Sequence, residues 1–337
     1  MRASQPTSVA ESGNEMRILV TGGLGVNGVV VTRQLIDRGL RPLVVDYRPD
    51  FSMVPNLQDR FDFVQGDITD LPFVTRLLKE QPIDAIIHLA AYISPDMDNE
   101  PFRSFVINTQ GSAHLLEAAH QAGIRRFITA SSRAVYGPTP ENVGSPEYQL
   151  IGEEHPKRPI KAYDVTKLAA EQLGGVYRQI FGLEFAALRF AGIYGPGKQA
   201  RHGKMSLRSR IVEDPVAGKP VRVAQGGDQL DDMMYVEDAA AALVEAAFAQ
   251  RLNYAAYNIG SGVGRTLREY ADAVKAVIPG AVIEIGPGGN PLGFDVNRAA
   301  IFHVSRAKSD FGFEARFGLQ EGVRDYIARL RTMKEPS

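Results

Sequence analysis

A tyrosine and a lysine four residues apart, Tyr163 and Lys167, have the spacing in this chain that most directly suggests acid–base chemistry. They open a helical apolar pattern, so the i, i+4 spacing places phenol and ammonium on one helix face. A phenol with a pKa of about 10 is a poor base at neutral pH, but a neighbouring positive charge stabilises phenolate and lowers that pKa. We therefore expect Tyr163 to take the proton of a substrate alcohol as hydride leaves. The hydroxyl of Ser132, at the end of a predicted strand, would orient the reacting oxygen.

The same spacing occurs a second time, at Tyr194 and Lys198, but there it spans a glycine/proline turn. A turn of this kind fixes no relative geometry for the two side chains, so the pair at Tyr163 is the informative one. A tyrosine–lysine pair on a helix is also typical of an ordinary solvated face. Other elements must therefore support the catalytic interpretation.

The strongest supporting element is a strand followed by a glycine-rich turn. The apolar run 18–20 predicts a strand buried on both faces, and glycines then follow at Gly22, Gly25 and Gly28 before a helical pattern. Gly22 would permit the tight turn, Gly25 the approach of a phosphate, and Gly28 close packing of helix on strand. This order places backbone N–H groups and a helix N-terminus where a pyrophosphate can bind. Because the spacing is G-x-x-G-x-x-G, an ordinary structural turn is the alternative.

An acidic residue, Asp46, ends the next predicted strand, 43–45. A carboxylate there accepts hydrogen bonds from the adenosine ribose and repels a 2′-phosphate, so NAD is favoured over NADP. Arg48 is the counter-signal, since a nearby Arg can receive that phosphate. The sequence therefore predicts NAD as the cofactor. At the other end of the cofactor, we expect Lys167 to hydrogen-bond the nicotinamide ribose.

Further short apolar runs alternate with helical patterns as far as about residue 190. Strands are predicted over 61–64, 84–89 and 126–130, with a helix over 108–122. Alternation of this kind indicates right-handed crossovers and an α/β, doubly wound parallel sheet of the Rossmann type. Asp67 could contact adenine or cap the helix that starts near Asp70, and His88 is interpreted as a packing residue.

The domain prediction follows the same change of pattern. Residues 1–15 are polar and lack an apolar signal region, which indicates a disordered tail. Residues 16–190 form the dinucleotide-binding part. Residues 191–337 form a smaller α/β substrate-binding part that covers the carboxyl edge of the sheet, interleaved with the first and without a clear linker. Helices are expected over 236–249 and 267–277.

Composition excludes several classes of function. The 337 residues carry a net charge of −1, which gives no electrostatic footprint for nucleic acid. There is no Cys, which removes disulfides, thiolate catalysis and Cys-ligated metal and fits a cytoplasmic location. No apolar run approaches the roughly 20 residues of a membrane span. The sequence predicts neither a metal site nor a membrane partner.

Taken in order, the motifs resemble those of the NAD-dependent epimerase/dehydratase family of extended short-chain dehydrogenases/reductases. The matching segments span nearly the whole chain after Met16: T-G-G-L-G-V-N-G at Thr21, D-I at Asp67, H-L-A-A at His88, S-S-R-A-V-Y-G at Ser131, Y-D-V-T-K at Tyr163, L-R-F-A-G-I-Y-G-P-G at Leu188 and Y-V-E-D-A-A at Tyr235.

The resemblance implies roles for individual residues. Ser132, Tyr163 and Lys167 correspond to the catalytic Ser or Thr, the base and its partner. Cofactor contacts are implied for Gly22, Gly25, Val26, Asn27, Gly28, Asp46, Asp67, Ile68, Leu89, Ala90, Asn108, Tyr163 and Lys167, with helix packing as the alternative for Asn108. Members of the family commonly form homodimers through a four-helix bundle built from the helices that correspond to 108–122 and 163–181.

The sequence departs from the family at residues implied to hold a nucleotide-sugar. Gly192 stands where such members often carry Asn, and Asp231 stands where they often carry an Arg that binds the diphosphate. An acidic side chain there would repel a diphosphate. Arg133, Arg298 and the basic stretch 198–210 could instead hold a carboxylate or phosphate of a smaller substrate, although a solvated basic loop explains the stretch equally well.

The sequence therefore predicts an NAD-dependent oxidoreductase that acts on a secondary alcohol of a sugar-like or sugar-acid substrate. An epimerase that retains its cofactor, including one for nucleotide-sugars, is the first alternative, and a non-catalytic dinucleotide-binding regulator is the second. A dehydratase is less favoured, because Arg133 and Ala134 stand where that subfamily carries Asp-Glu.

Overall fold

The buried apolar runs of the sequence become the parallel strands of one seven-stranded sheet in the computed structural model, which describes residues 16–93, 99–139, 148–199, 206–293 and 297–332. The strands lie in the order β3-β2-β1-β4-β5-β7-β11, and all their pairings are parallel. They are β1 Ile18–Thr21, β2 Leu43–Asp46, β3 Asp62–Gln65, β4 Ala85–His88, β5 Arg126–Ser132, β7 Glu184–Phe190 and β11 Ala256–Ile259. The doubly wound Rossmann-type fold is thereby confirmed.

Helices cover both faces of this sheet, as right-handed crossovers require. On one face α2 packs on α4 and α4 on α5, and on the other α1 packs on α7. The helices are α1 Gly28–Asp37, α2 Leu71–Glu80, α3 Pro101–Ser104, α4 Gly111–Gln121, α5 Ala162–Phe181, α6 Leu207–Val216, α7 Val236–Phe248, α8 Leu267–Val277, α9 Ser305–Phe311 and α10 Leu319–Thr332.

Three smaller sheets carry the second half of the chain over the carboxyl edge of the main sheet. In the first, β10 (Leu230–Tyr235) lies between β8 (Gly192–Tyr194) and β12 (Gly264–Thr266). The other two pair β9 (Val221–Val223) with β13 (Ile283–Ile285) and β6 (Leu150–Ile151) with β14 (Ile301–Phe302).

The two parts of the chain share hydrophobic packing. Strand β11 joins the main sheet beside β7 although it lies well beyond residue 190. One core cluster contains Ile18 and Val44 from the first part together with Val244 and Ile327 from the second. Strands and helices from both sides of residue 190 pack against one another. The division of the chain at residue 190 therefore remains a prediction from the sequence pattern.

Most predicted element boundaries agree with the structure to within a residue or two, with one larger difference. The predicted helix over 108–122 begins earlier: α3 runs into a π-helical turn, Phe105–Gln110, which continues as α4. The predicted tail, 1–15, lies outside the described residues. Among the described residues, none of the helices combines the length and apolar character that a bilayer crossing requires.

Candidate functional site

A cavity of about 750 Å³ opens at the carboxyl ends of the central strands, where ligands bind in open parallel sheets. The first half of the chain supplies its floor, and loops of the second half supply its opposite wall. The predicted site residues that line it are Gly22, Gly25, Val26, Asn27, Gly28, Asp46, Leu89, Ser132, Arg133, Tyr163, Lys167 and Arg298. Those that do not are Asp67, Ile68, Ala90, Asn108 and Gly192.

The glycine loop has the backbone geometry that its sequence requires. Gly22 has φ +69°, and a Cβ there would lie 2.6 Å from the backbone N of Ala90. A Cβ at Gly28 would lie 2.0 Å from the carbonyl oxygen of Gly22. A side chain fits at neither position, so the loop and the start of α1 stay close to β1 and β4. Asn27 is the N-cap of α1 but makes no side-chain capping bond.

Asp46 lies at the end of β2 and faces the same loop. Its Oδ2 accepts a hydrogen bond from the backbone N–H of Leu24 at 3.1 Å, and its Oδ1 accepts one from that of Arg48 at 3.2 Å. The carboxylate is therefore held in place on the cavity wall. A glycine cradle at a helix N-terminus with an acidic residue at the next strand end is the donor and acceptor set that NAD requires.

Asp67 and Ile68 lie beyond the end of β3, outside the cavity lining. The Asp67 carboxylate accepts hydrogen bonds from the backbone N–H and the hydroxyl of Thr69, both at 2.8 Å. The helix that follows is capped by Asp70, whose side chain accepts from the Phe73 N–H at 3.0 Å. The capping role considered for Asp67 is thus wrong, and its contact with adenine remains a prediction.

Asn108 is buried in the π-helical turn and braces neighbouring segments. Its Oδ1 accepts a hydrogen bond from the Tyr92 N–H at 2.6 Å, and its Nδ2 donates to Thr166 Oγ1 at 3.2 Å. Asn108 therefore connects the loop after β4 to the first turns of α5. These contacts agree with helix packing, the alternative role of Asn108, and Asn108 is not among the residues that line the cavity.

Tyr163, Lys167 and Ser132 come together on the cavity wall. Tyr163 and Lys167 lie on the first turns of α5, with the lysine Nζ 5.8 Å from the tyrosine ring centroid. Lys167 donates to the carbonyl oxygen of Ala130 at 2.9 Å, and the Ser132 hydroxyl interacts with the phenol of Tyr163. The end of β5 and the start of α5 thus hold the three groups in one place.

Burial dominates the protonation of these groups. It raises the pKa of Tyr163 to about 12, although the interaction with Ser132 acts in the opposite direction. It lowers the pKa of Lys167 to about 8, with Glu171 opposing the change. The expected lowering of the tyrosine pKa by Lys167 is therefore wrong for the protein by itself, because desolvation disfavours phenolate more than its neighbours favour it.

A buried ion pair fixes α5 on the sheet. Arg189 on β7 donates to Glu171 on α5 at 2.7 Å, and both side chains are almost fully buried. The hydroxyl of Ser131 also donates to Glu171. Loss of either residue would leave an uncompensated buried charge, which is costly. The ion pair therefore holds the helix that carries Tyr163 in place on the sheet.

A cluster of two arginines and one aspartate lines the same cavity. Arg133 and Arg208 each form an ion pair with Asp231, one with each carboxylate oxygen. A Cβ at Gly192 would lie 2.7 Å from the Arg208 guanidinium, so the missing side chain at 192 leaves the space that Arg208 occupies. Asp231 is therefore paired with two arginines, so the expected repulsion of an anion by this acidic side chain is wrong. The cluster as a whole carries one net positive charge.

Arg298 also lies on the cavity wall, but it pairs with a different carboxylate. Its Nη2 lies 2.8 Å from Oδ2 of Asp164, which is buried directly after Tyr163. The same oxygen accepts a hydrogen bond from the Lys161 N–H at 3.2 Å. Arg298 therefore connects a loop of the second half to the N-terminus of α5.

Lys198, the lysine of the second tyrosine–lysine pair, contacts the glycine loop. It is 7% exposed, lines the cavity and donates to Asn27 Oδ1 at 2.9 Å. Nothing in the spacing of a glycine/proline turn indicates this contact. Arg201, His202 and Lys204 of the same basic stretch lie outside the described residues.

His88 is buried and hydrogen-bonded on both ring nitrogens, to Thr21 Oγ1 at 2.7 Å and to Ser112 Oγ at 2.9 Å. Burial, with a smaller contribution from Lys167, lowers its pKa to about 3. The imidazole is thus neutral at physiological pH and connects β4, β1 and α4. This is the packing role that the sequence suggested.

Comparisons with known proteins agree with the geometry. The profile of the NAD dependent epimerase/dehydratase family matches residues 18–260. A UDP-glucose 4-epimerase of Mycolicibacterium smegmatis is 30% identical over 332 residues, 95% of this chain and 100% of that protein.

Solved structures agree as well. A Thermus thermophilus UDP-glucose 4-epimerase in complex with NAD is 28% identical, covers 94% of this chain and 99% of its own, and superposes with a TM-score of 0.77. MoeE5 in complex with UDP-glucuronic acid and NAD is 31% identical, with the same coverage of 94% and 99% and a TM-score of 0.77.

Proposed function

Because the chain belongs to the NAD-dependent epimerase/dehydratase family, with NAD as its cofactor, we propose that it transfers hydride between NAD and a secondary alcohol of a sugar-like or sugar-acid substrate. Its relatives are enzymes, so the chain is an enzyme, and the non-catalytic regulator is not retained. The observation that carries the proposal is the meeting of Tyr163, Ser132 and Lys167 in the cavity that also holds the glycine loop and Asp46.

In the proposed mechanism, the chain's own residues bind the substrate oxygen and move its proton. Ser132 donates a hydrogen bond to the reacting oxygen, and Tyr163 takes the proton from the alcohol in oxidation or returns it to the ketone in reduction. When bound, NAD⁺ supplies the hydride acceptor and a positive ring charge next to the phenol. With a pKa of about 12 in the protein alone, Tyr163 rests protonated, which suits it as the acid of the reduction.

The roles of the cofactor residues belong to the same proposal. The N–H groups of Val26 and Asn27 would bind the pyrophosphate at the N-terminus of α1, between Gly22 and Gly28, and Gly25 would leave room for the phosphate. Asp46 would bind the adenosine ribose. Asp67, Ile68, Leu89 and Ala90 would complete the adenine side, while Asn108 would support the cofactor only through the segments that it braces.

The substrate is proposed to carry an anionic group that binds at Arg133 and Arg208. Both guanidiniums face the cavity beside Ser132, and their shared Asp231 neutralises only one of the two charges. A guanidinium binds carboxylate and phosphate in bidentate fashion. Arg298 would act indirectly, through the N-terminus of α5.

A nucleotide-sugar epimerase is the second candidate function. The likeness to two UDP-glucose 4-epimerases supports it, and the pairing of Asp231 weakens the electrostatic objection to a diphosphate. An epimerase oxidises the alcohol and then reduces the ketone from its opposite face without release of the cofactor. A dehydrogenase releases both products.

A substrate panel separates these candidates. The protein is mixed with NAD⁺ and with sugars, sugar acids and UDP-sugars, and the ultraviolet absorbance of reduced nicotinamide is followed together with chromatography of the sugars. Net accumulation of reduced cofactor supports the dehydrogenase, whereas sugar interconversion without net accumulation supports the epimerase. No conversion in any mixture would contradict both candidates.

The anion-binding cluster is tested on the substrate that the panel identifies. Arg133→Gln should raise KM about tenfold or more, the loss of one charge-assisted hydrogen bond, and change kcat less. The matched control is Arg222→Gln, on an exposed arginine of β9 paired with Glu284. An unchanged KM in the Arg133 variant would remove Arg133 from the substrate site.

We further propose a homodimer that buries one face of α5. Val165, Val176 and Ile180 are exposed on that helix, and Phe102 and Phe105 are exposed on α3 and the π-helical turn that pack beside it. Positions 165, 176 and 180 recur on one side of the helix, and exposed apolar side chains grouped in this way are typical of an interface.

A further inference from the structure

The turn that follows β8 lies against the glycine loop from the opposite side of the cavity. Gly197 has φ +81°, and a Cβ there would lie 3.4 Å from Cγ1 of Val26. The next residue, Lys198, reaches the end of that loop and donates to Asn27 Oδ1 at 2.9 Å. A residue of the second half of the chain thus places an ammonium group beside the N-cap of α1.

Within the described part of the chain, this buried ammonium group has no compensating negative charge. Lys198 is 7% exposed, and among the described residues no carboxylate forms an ion pair with it. Burial, with a smaller contribution from the nearby Arg208 on α6, lowers its pKa to about 7. The carboxylates around the turn are engaged elsewhere: Glu213 accepts a hydrogen bond from the Tyr326 hydroxyl at 2.6 Å, and Asp214 accepts one from the Gln199 side chain at 3.0 Å.

The remaining carboxylates of the cavity wall that face the glycine loop are Asp46 and Asp50. Asp46 accepts hydrogen bonds from the backbone N–H groups of Leu24 and Arg48, and Asp50 accepts one from that of Ser52. A buried ammonium is costly unless it is paired. The backbone N–H groups at the start of α1, which attract an anion, face the same space.

We propose that Lys198 is a further cofactor-binding residue, which contacts the NAD pyrophosphate from the side opposite the glycine loop. The dinucleotide is then held by both halves of the chain, with Lys198 moving from the Asn27 amide to the phosphate oxygens or bridging the two. The inference rests on NAD as the cofactor, and it is independent of which alcohol is oxidised.

The direct test measures binding of ADP-ribose, which contains the pyrophosphate, and of adenosine, which does not, by calorimetry. Lys198→Met should weaken ADP-ribose binding about tenfold to a hundredfold, the loss of one charge-assisted hydrogen bond, and leave adenosine binding unchanged. Lys219→Met, on an exposed lysine just after α6, is the charge-matched control and should bind both ligands as the wild type does.

Two results would overturn the proposal. One is wild-type affinity of the Lys198 variant for ADP-ribose. The other is an equal loss for adenosine, which would mean that Lys198 shapes the loop rather than binds phosphate. Neither measurement uses turnover, so failure of the hydride-transfer proposal leaves this test intact.

A second measurement follows the proton uptake that accompanies ADP-ribose binding. Above about pH 7 the free lysine is largely neutral, and a phosphate partner favours the ammonium, so ADP-ribose binding should take up a proton there. Calorimetry in two buffers with different ionisation enthalpies measures this uptake. It should be present in the wild type and in Lys219→Met, and smaller by the Lys198 contribution in Lys198→Met. Equal uptake in the three proteins would contradict the proposal.

Discussion

At the scale of single residues, burial shifts the pKa values of the two groups on which the proposed chemistry depends in opposite directions. It raises the pKa of Tyr163 to about 12 and lowers the pKa of Lys167 to about 8. Both shifts favour the neutral forms, because a low-dielectric site disfavours charge of either sign. We therefore expect ionisation of Tyr163 to depend on a positive charge that enters the cavity with the cofactor.

The cofactor preference is a property of one residue, Asp46. Asp46→Ser should weaken NAD binding about tenfold to a hundredfold, because the ribose loses a charge-assisted hydrogen bond, and should weaken NADP binding much less, because repulsion of the 2′-phosphate is removed. The ratio of the two dissociation constants is the measurement. Damage to the glycine loop through the lost Leu24 contact would affect both cofactors alike and leave the ratio unchanged. An unchanged ratio would refute the proposed role of Asp46.

At the scale of elements, the site is held together by buried polar contacts between strands and helices. Glu171 joins α5 to β5 and β7, and His88 joins β4 to β1 and α4. These contacts fix where the ends of the strands stand relative to the start of α5. They also make stability depend on pH.

His88 provides the test of that dependence. Its pKa is about 3 in the folded chain, below the ordinary value of 6.5, so between these values the unfolded chain binds a proton that the folded chain does not. The free energy of unfolding should therefore fall as pH falls through this window, by up to about 1.4 kcal/mol per pH unit from this group. In His88→Gln the slope should be shallower, although the variant is less stable at neutral pH.

Urea denaturation across this window measures the slope. The matched control is His303→Gln, at an exposed position, which should follow the wild-type curve. A variant at residue 88 with the wild-type slope would show that the buried imidazole is not the group responsible.

The sequence predicts elements well where packing alone determines them. The apolar runs at β1 and β2 are buried on both faces, and the helix of Tyr163 has an amphipathic pattern, so local sequence suffices. The start of the helix before Asn108 was predicted too late, because the π-helical turn depends on the Asn108 contacts with Tyr92 and Thr166. Such contacts join distant segments, and no periodicity encodes them.

The candidate site divides in the same way. The glycine loop, Asp46 and the catalytic trio follow motifs of fixed spacing. The pairing of Asp231 with Arg133 and Arg208, and the contact of Lys198 with Asn27, depend on how the second half of the chain folds over the first. The pKa of Tyr163 could not be predicted either, since it is set by burial and not by the neighbouring lysine.

At the scale of the whole molecule, the two halves of the chain close one cavity between a nucleotide-binding floor and an arginine-containing wall. Strand β11 and helix α7 of the second half also pack into the first, so the halves share packing around the cavity. Assembly with a second copy would use the outer face of α5, on the side away from β5 and β7.

Val176→Glu is expected to produce a monomer, because it places a charge in the centre of the proposed interface. Size-exclusion chromatography with light scattering measures the mass, and circular dichroism checks the fold. Val263→Glu, an exposed valine in the second half, is the control and should keep the wild-type mass. A dimer in both variants, or a wild-type monomer, would exclude this face as the interface.

The central claim is that the Tyr163 phenol transfers the substrate proton in the NAD cavity. Single-turnover formation of reduced nicotinamide by Tyr163→Phe, on the substrate identified by the panel, tests it most directly, with ADP-ribose affinity as the control for an intact site. We expect the rate to fall about 10²- to 10⁴-fold with ADP-ribose affinity unchanged. Turnover of the variant at the wild-type rate would contradict the account.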